Sequence, residues 1–177
     1  WAQDPNSNWN WRFYGDELGT DTNGEEEAFG RYSNDSAAVD GIAESLPYYL
    51  IFWAAGNDRN DGPTAGNTVY TTWNGTNTVN YDPAIHPLGD GAWRENGYEN
   101  IADEAIAKNV LTIGAVNDAV LAGTRDLASA TMSGFSTWGP ADDGRVKPEL
   151  VANGVTLRST LSGTDSQYGI YSGTSMA

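Results

Sequence analysis

The chain has 177 residues and a formal net charge of −15, with two lysines and seven arginines against 24 carboxylates. This excess of negative charge repels nucleic acid phosphates and anionic membrane surfaces, so binding to nucleic acid is not expected. Cysteine is absent, which excludes a disulfide framework and a cysteine nucleophile within this chain. The longest apolar run, Tyr48 to Ala55, is well short of the roughly 20 residues that cross a bilayer, so no membrane span is expected.

The first half of the chain predicts an irregular segment, a helix and a strand. Residues 1–35 mix aromatic side chains with Asn, Asp and Gly, which indicates a loop with aromatic anchors. Ser36 is predicted to cap a helix of about three turns that ends before Pro47. Its apolar residues recur at helical spacing: Ala38, Val39, Ile42, Ala43 and Leu46. Tyr48 to Ala55 lacks alternation, which is typical of a strand buried on both faces of a parallel sheet.

The second half predicts further strands after a long interruption. Residues 62–98, rich in Asn, Gly and Trp, are much longer than an ordinary connection and are interpreted as an insertion. A helical stretch over residues 101–108 leads into a second buried strand, Asn109 to Val116. Strands are also predicted over residues 132–138 and 155–161, with a turn-rich segment between them. No linker divides the chain, so residues 1–177 are treated as one domain.

Three segments, in this order, resemble the subtilase family of serine endopeptidases. The first is the strand end Trp53-Ala54-Ala55-Gly56-Asn57-Asp58. The second is the strand at 109–116 followed by Phe135-Ser136-Thr137-Trp138-Gly139-Pro140 and Asp143-Gly144-Arg145-Val146-Lys147-Pro148-Glu149, and the third is Tyr168 to Ala177 with its Gly-Thr-Ser. Together they cover most of residues 46–177. The resemblance implies an α/β fold, a three-layer α/β/α arrangement around a mostly parallel sheet. It also implies a catalytic domain incomplete at both ends, because the family's catalytic Asp and His precede the asparagine strand.

The resemblance also implies roles for individual residues. Ser175 would be the nucleophile, and the side-chain amide of Asn57 would donate to the oxyanion of the tetrahedral intermediate. Gly56 and Asp58 would contact the substrate, which would be a protein or peptide. The intact protein is expected to be a secreted, monomeric enzyme of bacterial type, and the chain itself is expected to be inactive because it lacks the triad's base.

Other residues are considered as a base or as metal ligands. His86, the one histidine, lies between prolines within the insertion and after Asn57, so an exposed loop residue is the favoured interpretation. Lys108 and Lys147 are not favoured as a base. The acidic turns at residues 21–25 and 58–62 carry oxygen ligands that calcium uses but lack EF-hand spacing. No cofactor is therefore expected, and calcium is kept as an alternative.

Two rival functions remain open at this point. Seven tryptophans and nine tyrosines among polar residues could form a carbohydrate-binding surface on a non-catalytic β-sandwich. A pseudoenzyme with the peptidase fold is the other alternative. The chain also departs from the family at Ala152-Asn153-Gly154, where many subtilases have Ala-Pro-Gly, so the approach to the nucleophile is expected to change slightly.

Overall fold

The computed structural model describes residues 2–3, 9–12, 26, 28–70, 78–85 and 98–177. Within these ranges the strands are β1 (Ala2–Gln3), β2 (Trp9–Arg12), β3 (Ile51–Ala54), β4 (Thr68–Tyr70), β5 (Thr78–Asn80), β6 (Val110–Val116), β7 (Val120–Leu121), β8 (Thr124–Arg125), β9 (Leu150–Asn153), β10 (Leu157–Thr160) and β11 (Tyr168–Tyr171). The helices are α1 (Asn34–Ser45) and the short 3-10 helices Asp103–Ile106, Leu127–Ser129 and Thr174–Met176.

A parallel sheet of β3, β6 and β9, with β6 in the middle, organises the site. Ile51 pairs with Val110 at one end of β3, and Ala54 pairs with Ile113 at the other. On the opposite side of β6, residues 113–116 pair with β9. The three strands therefore end at one edge of the sheet, and the predicted α/β class with a mostly parallel sheet is confirmed. This parallel sheet also rules out the β-sandwich that the carbohydrate-binding alternative required.

The two strands predicted to be buried, β6 and β3, differ in how buried they are. Six of the seven residues of β6 are buried, as the apolar run predicted, because β6 is the central strand and α1 and two of the 3-10 helices contact it. The prediction that Tyr48 to Ala55 is buried on both faces is wrong. Its strand is confined to Ile51–Ala54, at the edge of this sheet, and Phe52 is 60% exposed.

Helix α1 covers one face of the sheet, but its N-cap differs from the predicted one. Ser33 is the cap, and Ser36 lies at the third helical position. The Ser33 hydroxyl accepts from the Ser36 N–H, and the Ser36 hydroxyl accepts from the Ser33 N–H, which completes a capping box. Val39 then packs against Ala107 and Val110. The prediction of Ser36 as cap is wrong because two serines three residues apart both serve the cap.

Asp40 joins α1 to the start of β6. Its carboxylate accepts hydrogen bonds from the backbone N–H groups of Lys108 and Asn109 at 3.0 and 2.7 Å, and from the Tyr32 hydroxyl at 2.6 Å. Burial by itself would raise the pKa of Asp40, but these hydrogen bonds outweigh burial and lower that pKa below its ordinary value. The carboxylate therefore stabilises the folded state in its ionised form.

Replacing Asp40 with Asn is expected to lower the free energy of unfolding by about 1–3 kcal/mol at neutral pH. Both carboxylate oxygens of Asp40 accept hydrogen bonds, whereas an amide has one oxygen that accepts and a nitrogen that can only donate. Since the folded pKa is lowered, this stabilisation is present above the ordinary pKa of about 4 and is lost as the pH falls through the folded value. Denaturant unfolding at pH 7 and pH 3 should show the gap to wild type shrinking at pH 3. Asp35→Asn, on the same helix and exposed, is the control. If the difference in unfolding free energy between wild type and Asp40→Asn were the same at both pH values, the role of the Asp40 carboxylate would be contradicted.

The insertion and the N-terminal segment pair with each other. β1, β2, β4 and β5 form a second sheet in that order, in which Trp11 of β2 lies in parallel register with Val69 of β4. Val69 and Tyr81 are the buried centre of this unit. The described parts of residues 1–35 and 62–98 thus contain strands. The polar composition did not predict them, because β2 and β4 pair although they lie almost 60 residues apart in the chain.

The last part of the chain corrects two further expectations. The prediction of a strand over residues 132–138 is wrong, since Met132 makes a single bridge to Val116 and the rest is a loop. The strand predicted over residues 155–161 is confined to β10, which forms an antiparallel hairpin with β11. β9 itself was missed. Of the helices that the structure describes, none combines the length and apolar character needed to cross a bilayer.

Candidate active site

The candidate site lies at the carboxyl edge of the parallel sheet. Asn57 follows the end of β3, and Gly154 follows the end of β9. Ser175 lies in the 3-10 helix Thr174–Met176, which contacts β3 and β6. The crevice outside the carboxyl ends of parallel strands is where open α/β sheets bind ligands. The fold therefore brings together two predicted site residues that are separated by more than a hundred positions.

Gly56 forms the corner at which the chain leaves β3. Its φ is +117°, and a Cβ at this position would lie 2.8 Å from the Thr137 hydroxyl oxygen, so both conformation and space require glycine. The Gly56 N–H donates to the Thr174 hydroxyl oxygen at 3.1 Å, and the Gly56 carbonyl accepts from the Thr137 N–H at 3.1 Å. Its backbone polar groups thus serve the fold, and a role in substrate binding stays a prediction.

Asn57 is bound directly to the residue before Ser175. The Thr174 N–H donates to Asn57 Oδ1 at 2.8 Å, and the Thr174 hydroxyl lies 3.1 Å from the same oxygen. A backbone N–H can only donate, so the carbonyl oxygen of the Asn57 amide must face Thr174. The Asn57 Nδ2 group therefore lies on the other side of the amide, and none of the described residues accepts a hydrogen bond from it. Both Asn57 and Ser175 are exposed.

The Thr174 hydroxyl links this arrangement to the strand end. It accepts from the Gly56 N–H and is therefore oriented to donate to Asn57 Oδ1. Thr174 is 2% exposed, so these bonds are shielded from water and strengthened by the low local dielectric. Sequence reasoning did not assign Thr174 a role of its own. Its place beside Ser175 is evident from the sequence, but its contact with Asn57 crosses 117 residues.

The backbone around Ser175 is held by its neighbours. The Gly173 N–H donates to the Gly154 carbonyl at 2.8 Å, and the Met176 N–H donates to the Gly173 carbonyl at 3.0 Å. A Cβ on Gly154 would lie 2.7 Å from the Gly173 oxygen, so this close approach requires glycine. Within the part of the chain that the structure describes, no hydrogen bond occupies the N–H or hydroxyl of Ser175.

The departure at Asn153 has a structural counterpart. The Asn153 side-chain oxygen accepts from the Val155 N–H at 3.1 Å, which is the local turn that an Asn side chain commonly forms. A proline at this position would constrain the turn through its fixed φ instead. The Asn side chain thus supports the turn before Gly154 by hydrogen bonding.

Beyond Asn57, Asp58 and Arg59 face different surroundings. Partial loss of hydration raises the pKa of Asp58 above its ordinary value, and the charge of nearby Asp61 raises it further. Arg59 folds back onto the loop at residues 134–138, where its guanidinium lies 4.1 Å from the centre of the Trp138 ring. The Arg59 backbone N–H donates to the Phe135 carbonyl at 3.3 Å, and the side-chain Nε–H donates to the Gly134 carbonyl at 3.2 Å. This contact was missed, because nothing in the sequence pairs residue 59 with that loop.

The remaining candidates lie away from this arrangement or outside the described residues. His86 and the acidic turn at residues 21–25 lie outside the described residues. Lys147 is buried, with its ammonium 2.6 Å from Glu149 and 2.9 Å from the Ala107 carbonyl, so it is used in the fold. Among the residues that the structure describes, no group of three or more His, Cys, Asp or Glu could hold a metal ion.

Comparison with known proteins identifies the family of the chain. The model of the subtilase family matches residues 8–177. Serine protease AprX of Bacillus subtilis (strain 168) is 37% identical over 91 residues, which cover 45% of this chain. The chain spans 20% of the length of that relative. Because the family model covers nearly the whole chain, including the Gly56-Asn57 corner and the Gly-Thr-Ser segment, the chain belongs to the subtilase family.

Proposed function

We propose that the protein carrying this chain is a secreted serine endopeptidase whose nucleophile is Ser175. One observation carries the proposal: the 2.8 Å hydrogen bond from the Thr174 N–H to Asn57 Oδ1. It orients the Asn57 amide so that Nδ2 faces away from Thr174 and has no acceptor among the described residues, while Ser175, the next residue, is exposed. A serine with an available backbone N–H and a neighbouring amide donor supplies the nucleophile and the two oxyanion donors that acyl transfer requires in addition to a base.

The proposed reaction needs a base that this chain does not supply. Ser175 Oγ attacks the carbonyl carbon of the scissile peptide bond, while its proton passes to a histidine held by an aspartate, both outside this chain. The carbonyl π electrons move to the oxygen, which receives hydrogen bonds from the Ser175 N–H and Asn57 Nδ2. When the C–N bond breaks, the histidine returns the proton to the leaving amine. Water then attacks the acyl-enzyme ester, with the histidine accepting its proton and returning it to Ser175 Oγ as the C–O bond breaks.

The proposal keeps Asp58 as a substrate contact. It follows the oxyanion donor directly in sequence and is exposed. A carboxylate at this place favours basic over acidic side chains in a protein or peptide substrate. Asp58→Asn is therefore the variant in which substrate preference, and not the rate on a neutral peptide, would change.

A fluorophosphonate probe, which reacts only with an activated serine, tests the function. The longer protein expressed with its upstream coding sequence is expected to be labelled, and labelling should disappear in Ser175→Ala. The isolated 177-residue chain is expected to remain unlabelled, because a serine hydroxyl is a weak nucleophile without an adjacent base.

Each other outcome of the labelling has a definite meaning. Labelling of the isolated chain that is lost in Ser175→Ala would show that a base lies within these residues and would contradict the assigned division of the triad. No labelling of the longer, folded protein would instead identify a pseudoenzyme. Labelling that survives Ser175→Ala would overturn Ser175 as the nucleophile.

A further inference from the structure

Thr137 holds the two carbonyl groups that immediately precede Asn57. It is 1% exposed. Its hydroxyl donates a hydrogen bond to the Ala55 carbonyl, and its N–H donates to the Gly56 carbonyl at 3.1 Å. The peptide group between Gly56 and Asn57 contains that second carbonyl. The orientation of this peptide plane, from which the Asn57 side chain projects, is therefore set in part by Thr137.

The Thr137 side chain also fills the space that the glycine corner leaves. A Cβ on Gly56 would lie 2.8 Å from the Thr137 hydroxyl oxygen and 3.2 Å from its methyl carbon. The hydroxyl and the methyl group thus both pack against the corner. A residue with only one of these groups would keep either the hydrogen bond or the packing, but not both.

The loop that carries Thr137 is itself fixed to the central strand. The Ser133 N–H donates to the Ala115 carbonyl at 2.9 Å, and the Ala115 N–H donates to the Ser136 hydroxyl at 2.9 Å. Ser133 and Ser136 are buried. Ser136, the residue before Thr137, thus binds β6 directly. Thr137 therefore lies between the central strand and the Gly56-Asn57 peptide group.

We propose that Thr137 is a positioning residue for the oxyanion donor. Asn57 is held from two sides: Thr174 fixes its amide from the nucleophile segment, and Thr137 fixes its backbone from the β6 loop. The inference rests on the proposed function, since a positioned donor matters only where an oxyanion forms. A donor must lie within about 0.5 Å of its productive place to retain its effect, and small misplacements cost large factors in rate.

The experiment uses the longer protein and compares Thr137→Val with Thr137→Ser. Valine keeps the volume and removes the hydroxyl. It is expected to lower kcat about 10- to 100-fold and leave KM within about twofold, because the oxyanion exists in the transition state and not in the bound substrate. Serine keeps the donor and is expected to recover most of kcat. Rates are taken per folded molecule, from unfolding curves of each variant.

Thr112→Val is the matched control. Thr112 is also buried, and its hydroxyl donates to the Ala105 carbonyl at 2.7 Å, away from Asn57. This variant loses that bond and the one that the Lys147 ammonium donates to the Thr112 hydroxyl at 3.2 Å, so it should lose stability while kcat per folded molecule stays within about twofold of wild type. An equal fall of kcat in Thr112→Val would show that any buried threonine acts in this way and would overturn the specific role of Thr137.

A double-mutant cycle with Asn57→Ala tests whether Thr137 acts through Asn57. If it does, Thr137→Val adds less than about twofold to the loss that Asn57→Ala already causes. Losses that multiply in full would overturn the inference. A wild type that is active and a Ser175→Ala variant that is not, together with an unchanged Thr137→Val, would refute the role of Thr137 alone. An inactive wild type would refute the proposed function instead.

Discussion

Ser175→Ala is expected to abolish peptide hydrolysis by the longer protein, lowering kcat by about a million-fold. This magnitude is the one measured for the nucleophile of subtilisin, another member of the same family. The physical reason is that the attacking atom is removed, so any remaining rate comes from oxyanion stabilisation and substrate binding alone. Hydrolysis of a chromogenic peptide, with the protein shown to be folded by circular dichroism, measures the effect.

Ser172→Ala provides the matched control in the same segment. Ser172 is also exposed, and its hydroxyl accepts from the Thr156 N–H at 2.9 Å. Its loss removes one surface hydrogen bond, which is worth about 1 kcal/mol of stability at most, and should leave kcat within about twofold. A Ser175→Ala protein that retained more than about a hundredth of wild-type kcat would contradict the assignment of the nucleophile.

Asn57→Asp is expected to lower kcat at least about 100- to 1,000-fold with little change in KM. Removing one oxyanion donor has an effect of this size in subtilisin. The aspartate keeps an oxygen that accepts from the Thr174 N–H and hydroxyl, but it has no Nδ2 donor. It also adds a negative charge next to the oxyanion. The variant therefore separates the donor role of Asn57 from its structural role.

Two further variants complete this test. Asn57→Ala should lose a similar factor in kcat and, in addition, some stability, because the Thr174 N–H is then left without its acceptor. Asn60→Ala, at an exposed asparagine three residues further on, should leave kcat within about twofold. Steady-state kinetics on one peptide substrate measures all three. Wild-type kcat in Asn57→Asp would show that Asn57 is not a donor to the transition state.

The elements that the sequence predicted well are those whose signal is local. After Asn109, the run to Val116 contains one polar residue, Thr112, and such a run is typical of a strand that is buried on both faces of a parallel sheet. Helix α1 was predicted because its apolar residues recur at helical spacing. Its cap was misassigned by three residues, since Ser33 and Ser36 are equally good caps by residue type, and only the hydrogen bonds distinguish them.

The elements that were missed depend on distant partners. Residues 132–138 have the composition of a strand. However, the Ala115 carbonyl of β6 accepts from the Ser133 N–H, and the Ala115 N–H donates to the Ser136 hydroxyl, so no regular backbone ladder forms. β9 follows a proline and charged residues and has three exposed positions out of four. Its strand character comes from pairing with β6. Likewise, β2 becomes a strand because β4, almost 60 residues later, lies beside it.

For the candidate site, Ser175 and Asn57 were identified from motifs, whereas Thr174 and Thr137 were not. A motif reports residues that are close in sequence. The contacts of Thr174 with Asn57 and of Thr137 with Ala55 span 117 and 82 residues. No periodicity or spacing in the chain encodes such pairs.

The amino-acid sequence by itself determined the α/β class, the central buried strand and the residue types that carry the proposed chemistry. These depend on composition, on periodicity and on short motifs, which are local properties. Only the tertiary structure decided that the Asn57 amide turns its oxygen toward Thr174 and its Nδ2 away from it, and that Thr137 binds the Ala55 and Gly56 carbonyls. Hydrogen-bond direction depends on which groups meet across the sheet edge, and that meeting is set by strand register and packing of the whole domain.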